Sequence, residues 1–232
     1  MTLRDQFGNG VHGKMEMRRK VYDRYYNRRI KRILDIIVAV PLFILALPLY
    51  FIIAAAILAD DGFPVFYRPL RGGYKGQNFR ITKFRTMVKD ADKIGGGTTA
   101  NHDPRITRVG RFLRKTKLDE TANLINILQG TMSFIGPRPE LLQYTEQYEG
   151  DEKEILEVRP GVTDFSSIEF INLDEIVGSD DADAMYEKYV LKKKNALRIQ
   201  YAETVSFSTD VKLFMKTIRA VLRKAFRYLG KQ

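Results

Sequence analysis

From Ile33 to Ala59 the chain reads ILDIIVAVPLFILALPLYFIIAAAILA, and Asp35 is the one charge in that run. As a single helix it would be ~40 Å long, more than the ~30 Å hydrocarbon core of a bilayer. Two prolines interrupt it. Each lacks a backbone N–H and crowds the carbonyl four residues back, so each can kink or break a helix. Pro41 and Pro48 are seven residues apart, about two turns, so both kinks bend the segment toward the same side. The halves either side of the Leu47–Pro48 bond are roughly 18–22 Å each, too short to span alone.

The flanks are basic on both sides. Arg18, Arg19, Lys20, Arg24, Arg28, Arg29, Lys31 and Arg32 precede the run, and Arg68, Arg71, Lys75, Arg80, Lys83 and Arg85 follow it. A spanning helix leaves its basic excess on the cytoplasmic side alone. The expectation is therefore a re-entrant helix-break-helix hairpin with Pro48 as membrane hinge and both ends in the cytoplasm. A kinked transmembrane helix is the alternative, since prolines are tolerated in such helices. Asp35 is three residues past Arg32 and four past Lys31, which predicts a local ion pair at the membrane boundary.

The remaining composition suits a membrane surface. The formal net charge is +11 and the pI about 9.7, a balance that fits anionic headgroups, phosphorylated substrates or nucleic acid. There is no cysteine, which excludes disulfides, zinc thiolates and cysteine nucleophiles. His12 and His102 are the only histidines, which argues against a histidine-rich metal site. The apolar run begins too far into the chain and is too long for a cleavable signal.

Four regions follow: a basic tail and interfacial segment (1–29), the membrane hairpin (30–60), a domain at 61–205 and a basic C-terminal helix (206–232). The first 13 residues read as a loose tail. Residues 64–70 and 78–87 read as short strands around the GGYKG turn. Lys83 and Arg85 alternate there and would share one face of a strand. Gly95–Gly97 is a glycine loop without the Gly-Lys-Ser/Thr ending of a P-loop. A helix is predicted from about Leu118, with Gly130 as its stop and Thr116 with Asp119 as a capping box. Residues 141–158 read as a mostly exposed helix, and residues 163–183, with the acidic patch Asp174, Glu175, Asp180, Asp181 and Asp183, read as a solvated loop. Val211, Phe214, Met215, Ile218, Val221, Leu222, Ala225, Phe226 and Leu229 form an apolar stripe on a basic amphipathic helix. That helix can pack on the core or lie in the lipid interface.

Asp119 and Glu120 follow the basic run Arg105, Arg108, Arg111, Arg114, Lys115 and Lys117. Acidic residues in a first helical turn serve the helix dipole, and that structural role is one reading. The other is a site for anionic phosphates, with one carboxylate facing phosphorus and the other a metal ion, because adjacent helical residues point about 100° apart. In GPRPE, residues 136–140, Pro137 and Pro139 restrict the backbone around Arg138, which suits a guanidinium that clamps phosphate. Arg159 is likewise fixed before Pro160.

Taken together, KFRTM (83–87), DPRITRVGRFLR (103–114), LDE (118–120), NILQGTMSFIGPRPE (126–140) and RPGVT (159–163), behind a basic-flanked hydrophobic hairpin, resemble the bacterial sugar transferases. These are the small monotopic phosphoglycosyl transferases, and the resemblance covers nearly all of residues 28–225. It implies an α/β (mostly α) fold: a re-entrant hairpin plus a small catalytic domain with interfacial helices, on the cytoplasmic face of the bacterial inner membrane. It implies transfer of a sugar 1-phosphate from a UDP-sugar to polyprenyl phosphate with release of UMP. Asp119 matches the nucleophile and Glu120 its partner, and both are implied as Mg²⁺ ligands. Lys83, Arg85, Arg114, Pro137, Arg138 and Arg159 match substrate-binding positions. Membrane lipids are implied partners, nucleic acid is not, and a homodimer is left open.

Two positions depart from the family pattern. Leu47-Pro48 stands where many members have Ser-Pro, and TDFSSIEFINLDE (163–175) replaces a tryptophan-containing segment. A nucleic-acid-binding module, suggested by the charge, and a non-catalytic membrane scaffold are the competing functions.

Overall fold

The computed structural model describes residues 21–22, 25–91, 94, 103–171 and 182–229. The N-terminal tail, the Gly95–Gly97 loop, both histidines and most of the acidic stretch at 174–183 lie outside these. The protein is mostly helical, with strands of two or three residues.

Helix α1 runs from Lys31 to Asp61 through both prolines. The break expected at Pro48 is therefore not a loss of helical structure; the two halves are joined without a loop. Among the described residues this is the one helix long and apolar enough to cross a membrane, and only 17% of its most apolar 18-residue stretch is buried. Its buried positions fall in two sets, Lys31, Asp35 and Ala39, then Tyr50, Ile53 and Ile57. Between them Val40, Leu42, Ile44, Leu45, Leu47 and Leu49 are exposed.

Both sets dock on the same domain. Ala39 packs with Phe79, Ile81, Ile127 and Met132. Tyr50, Ile53 and Ile57 pack with Phe84, Leu113 and Ala122. Arg32 donates to the carbonyls of Ile127 and Leu128 at the end of a short helix. The Tyr50 hydroxyl donates to the Thr121 carbonyl at 2.6 Å.

The base of α1 corrects the sequence expectation for Asp35. Its carboxylate accepts from Ser133 Oγ at 3.0 Å and from the Phe134 N–H at 3.2 Å, almost a hundred residues away. Lys31 pairs instead with Asp210. Tyr26 and Tyr201 also donate to Asp210.

After α1 the chain forms one irregular hairpin. β1 (Phe66–Tyr67) pairs antiparallel with β4 (Lys83–Phe84), and β2 (Leu70–Arg71) with β3 (Phe79–Arg80). These are the two strand segments predicted around GGYKG, though shorter. α2 (Arg108–Thr116) then carries the basic run. Lys117 adopts a left-handed backbone (φ 59°), a 3₁₀ turn covers Leu118–Ala122, and α3 (Asn123–Gln129) ends at Gly130 (φ 85°). Gly130 stops the helix as expected. Thr116 does not cap it: its hydroxyl donates back to Phe112 and Leu113 within α2.

β5 (Ser133–Ile135) pairs parallel with β6 (Gly161–Thr163). This register brings the GPRPE and RPG turns into contact. A Cβ on Gly136 would lie 2.3 Å from the Arg159 carbonyl oxygen, and one on Gly161 only 2.2 Å from the Gly136 nitrogen. Any side chain at either position would force the two turns apart.

α4 (Leu142–Thr145), a 3₁₀ segment (Gly150–Glu157), α5 (Phe165–Glu169), α6 (Ala182–Tyr186), α7 (Lys192–Thr204) and α8 (Phe207–Leu229) complete the fold. On α8, Asp210 and Leu213 are buried against the core, while Phe207, Val211, Phe214, Met215, Ile218 and Val221 are exposed. The described part of the predicted apolar stripe, from Val211 to Val221, thus faces away from the protein.

Candidate active site

The left-handed Lys117 swings the chain out of α2 and starts the 3₁₀ turn that carries Asp119 and Glu120. At three residues per turn, their side chains diverge by about 120°. They also have opposite electrostatic fates. Glu120 Oε1 accepts from Lys83 Nζ at 3.1 Å and from the Arg138 guanidinium. Burial works against its ionisation, but Arg138 and Lys83 outweigh it and hold the carboxyl well below its usual range. Asp119 is 9% exposed, and its Oδ1 is buried without a hydrogen-bond partner. Burial, then the Glu120 charge, raises its pKa; Lys83, Lys117 and Arg114 pull it back. The result is a clamped carboxylate beside one with an uncommitted oxygen.

Arg138 is held from several directions. Its Nη1 donates to the Val162 carbonyl and its backbone N–H to Asp164 Oδ2, both at 3.4 Å. Asp164 also accepts from Ser166 Oγ and from the N–H and hydroxyl of Ser167. It caps α5 and steadies the Arg138 loop at once. Sequence reasoning passed over Asp164, although a D-x-x-S step after the RPG turn is a helix-start pattern. Pro137 contributes backbone: its carbonyl accepts from the Gly161 N–H at 2.9 Å.

The structure brings together Lys83, Asp119, Glu120 and Arg138. Arg114 belongs beside them: its charge acts on Asp119, and its Nε donates to Thr86 Oγ1 at 2.9 Å. Arg85 and Arg159 are turned elsewhere. Lys83 reaches Glu120, whereas the Arg85 side chain goes to the carbonyls at the end of α1. Arg85 is buried, donates to the carbonyls of Asp61, Gly62 and Phe63, and pairs with Asp61, closing the end of α1. Arg159 lies over the Tyr74 ring, 5.2 Å from its centroid, and donates to the Asn27 carbonyl.

A cavity of about 210 Å³ opens on the far side of Lys83 and Arg138, with Arg71, Lys194 and Arg198 as further cations in its wall. Glu140 accepts from Arg198 at 2.8 Å and from the Tyr186 hydroxyl at 2.5 Å. Lys194 lies over the Tyr186 ring and is pushed down to about 8 by burial, then by Arg198. Lys194 and Arg198 come from a helix some sixty residues downstream, and no local motif marks them.

The sequence profile of the bacterial sugar transferases matches residues 26–224. This chain belongs to the bacterial sugar transferase family. It is 32% identical over 195 residues to a UDP-glucose:undecaprenyl-phosphate glucose-1-phosphate transferase of Caulobacter vibrioides, covering 83% of this chain and 69% of that one. The enzyme of the same name from Escherichia coli is 39% identical over 150 residues, 61% of this chain. The undecaprenyl-phosphate galactose phosphotransferase of Salmonella typhimurium is 32% identical over 217 residues, 87% of this chain. The chain spans 31% of the Escherichia coli relative and 42% of the Salmonella one.

Proposed function

We propose that this protein transfers a sugar 1-phosphate from a UDP-sugar to a polyprenyl phosphate, through a phosphosugar carried on Asp119. The observation that carries the reading is the buried, unpartnered Asp119 oxygen beside a carboxylate already neutralised by Lys83 and Arg138. Named relatives that perform such transfers to undecaprenyl phosphate support it.

A deprotonated carboxylate needs no base to attack. An Asp119 oxygen bonds to the β-phosphorus, the bond from that phosphorus to UMP breaks, and UMP leaves with the electron pair. An oxygen of the lipid phosphate then attacks the same phosphorus, the bond to Asp119 breaks, and the carboxylate is restored. Dividing the transfer lets a soluble donor and a lipid acceptor use one carboxylate in turn. Lys83 and Arg138 face the charge that builds on the leaving phosphate. Glu120, held far below its usual pKa, is too weak a base to take a proton. Its Oε1 fixes those two cations. A lipid phosphate has already lost its acidic proton near neutral pH and needs no such help.

The donor set fits Mg²⁺. Among the described residues there is no group of three or more carboxylates or histidines. Mg²⁺ is commonly held by one or two carboxylates, with waters and substrate phosphates completing its shell. Asp119 and Glu120 would hold it, and it would neutralise diphosphate charge.

We also infer that α1 is re-entrant. Arg32 and Tyr50 are 18 residues apart, ~27 Å along a straight helix, whereas their partners Leu128 and Thr121 are seven apart, ~10 Å. Two side chains would have to lie flat along the axis in opposing directions to close that gap. A bend at Pro41 and Pro48 closes it, with the exposed apolar middle as apex. Both arms and the outward stripe of α8 then address the cytoplasmic face.

Detergent-solubilised protein with Mg²⁺, polyprenyl phosphate and a panel of UDP-sugars should release UMP, and D119N should not. A turnover-trapped sample should carry phosphosugar mass on the Asp119 peptide; its absence there overturns the covalent route. The chain has no cysteine, so Tyr25→Cys and Gln77→Cys give clean single labels. Both should be reached from the cytoplasm only, and opposite accessibility would sink the re-entrant topology.

A further inference from the structure

A second cavity, of about 280 Å³, lies where α1 hands the chain to the domain. Pro64, Phe66 and Tyr67 line it together with Met87, Val88 and Ala91, and Arg85, Thr86, Lys89, Asp90 and Arg114 add polar groups. Its chemistry is opposite to that of the cavity beyond Lys83 and Arg138. There five cations converge; here the lining is mainly apolar. Arg85 is committed to the carbonyls at the end of α1. Arg114 lines this cavity, is held at 2.9 Å to Thr86 of the same lining, and stands in the last turn of α2, just before the 3₁₀ turn that carries Asp119. Nearby, Phe63 and Ile94 are 76% and 68% exposed, and Tyr67 is 38% exposed. Apolar side chains left open at the foot of an apolar helix suit contact with lipid.

We propose that this cavity receives the isoprene units nearest the phosphate of the polyprenyl phosphate acceptor, while Arg114 draws that phosphate toward Asp119. The proposal rests on the transferase reading above and adds where the lipid enters. The two substrates then approach the carboxylate from different sides, the donor over Lys83 and Arg138 and the acceptor over Arg114. Drug-sized pockets are typically ~300–1,000 Å³. This one is smaller, so it takes the head-proximal hydrocarbon only, and the rest of the chain stays in the bilayer. In the second step the incoming lipid oxygen forms its bond to phosphorus as the Asp119–phosphorus bond breaks. No proton, electron or further reactant is needed for balance.

Two measurements test it. In the first, a short isoprenyl phosphate with a diazirine on its second unit is photolysed with the wild-type protein in Mg²⁺-containing nanodiscs. Label is expected on peptides holding Phe63–Arg68 or Met87–Ala91, displaced by polyprenyl phosphate and not by the neutral polyprenol. Label confined to the α1 apex or to α8, or displaced equally by the alcohol, overturns the proposal. In the second, Val88→Trp fills the cavity and Val88→Glu places a negative charge in it. Each should raise the KM for polyprenyl phosphate at least tenfold. Isotope exchange between UMP and the UDP-sugar, which needs no lipid, should hold within twofold and so report an intact fold. Parallel loss of both activities, or an unchanged lipid KM, overturns the proposal. Phosphate-dependent labelling of the cavity in a protein that exchanges no UMP would instead leave the lipid site standing and remove the transferase reading.

Discussion

Two buried acidic clusters in this molecule invite comparison. At the base of α1, Asp210 accepts from Lys31, Tyr26 and Tyr201, so both of its oxygens are engaged. At the 3₁₀ turn, Asp119 is nearly as buried, yet one oxygen has no partner. A buried polar atom without a hydrogen bond costs on the order of 1–3 kcal/mol. Around Asp210 the first cluster closes on itself and joins α1 to α7 and α8. The second keeps a free Asp119 oxygen next to Glu120 and the two cations that hold it. Burial alone does not separate scaffold from site, and neither does one open oxygen, since Asp35 Oδ2 at the base of α1 also lacks a partner; what marks Asp119 is an open oxygen next to a second carboxylate that already holds two cations.

The sharpest way to break the comparison is to remove each acid. Asp119→Asn keeps the shape of the site and should cut UMP release by at least ~10³-fold, with little change in melting temperature. If Asp119 were merely a helix-start residue, activity would survive. Arg138→Lys should lose roughly 10²–10³-fold, as expected for one charge-stabilising donor, and should free Glu120 to titrate nearer its ordinary value. Asp210→Ala leaves Lys31 buried and unpaired. It should cost about 3–5 kcal/mol, read as a lower denaturation midpoint in detergent, while the surviving folded fraction keeps its turnover per molecule.

The pH profile sharpens the contrast further. Asp119 is raised, so its reactive ionised form is lost as pH falls through that elevated pKa. The acid limb of kcat/KM should therefore lie above that of an ordinary carboxylate. Lys194 is charged below about 8 and neutral above it. Donor affinity should fall as pH rises through that value, about tenfold at most, and Lys194→Met should abolish that limb. A profile flat through pH 8 in the wild type would remove Lys194 from the donor wall.

Much of this was legible in the chain, and the missing parts share a cause. The apolar run, the Gly130 stop, the strands around GGYKG and the outward stripe of α8 follow from local rules that act within a few residues. Asp119, Glu120, Lys83 and Arg138 converge because short motifs happen to meet around one carboxylate, Glu120. Arg85 shows the limit. Alternation predicts one shared strand face, yet Lys83 reaches Glu120 while Arg85 goes to the carbonyls ending α1. Asp35 shows it again: the charge of Lys31, four residues before it, still acts on it, but its hydrogen bonds go to Ser133 and Phe134, almost a hundred residues away. Lys194 and Arg198 reach the cavity beyond Lys83 and Arg138 through tertiary packing alone, and the residues beside them in sequence carry no trace of it.

The docking of both arms of α1 has a practical corollary. Phe84, Leu113, Ile127 and Met132 find their apolar neighbours partly on α1. Cutting the chain after Asp61 to obtain a water-soluble enzyme would strip away one wall of its interior. Anchor and catalyst should therefore melt together, and transplanting the domain onto a foreign tether should yield an insoluble product.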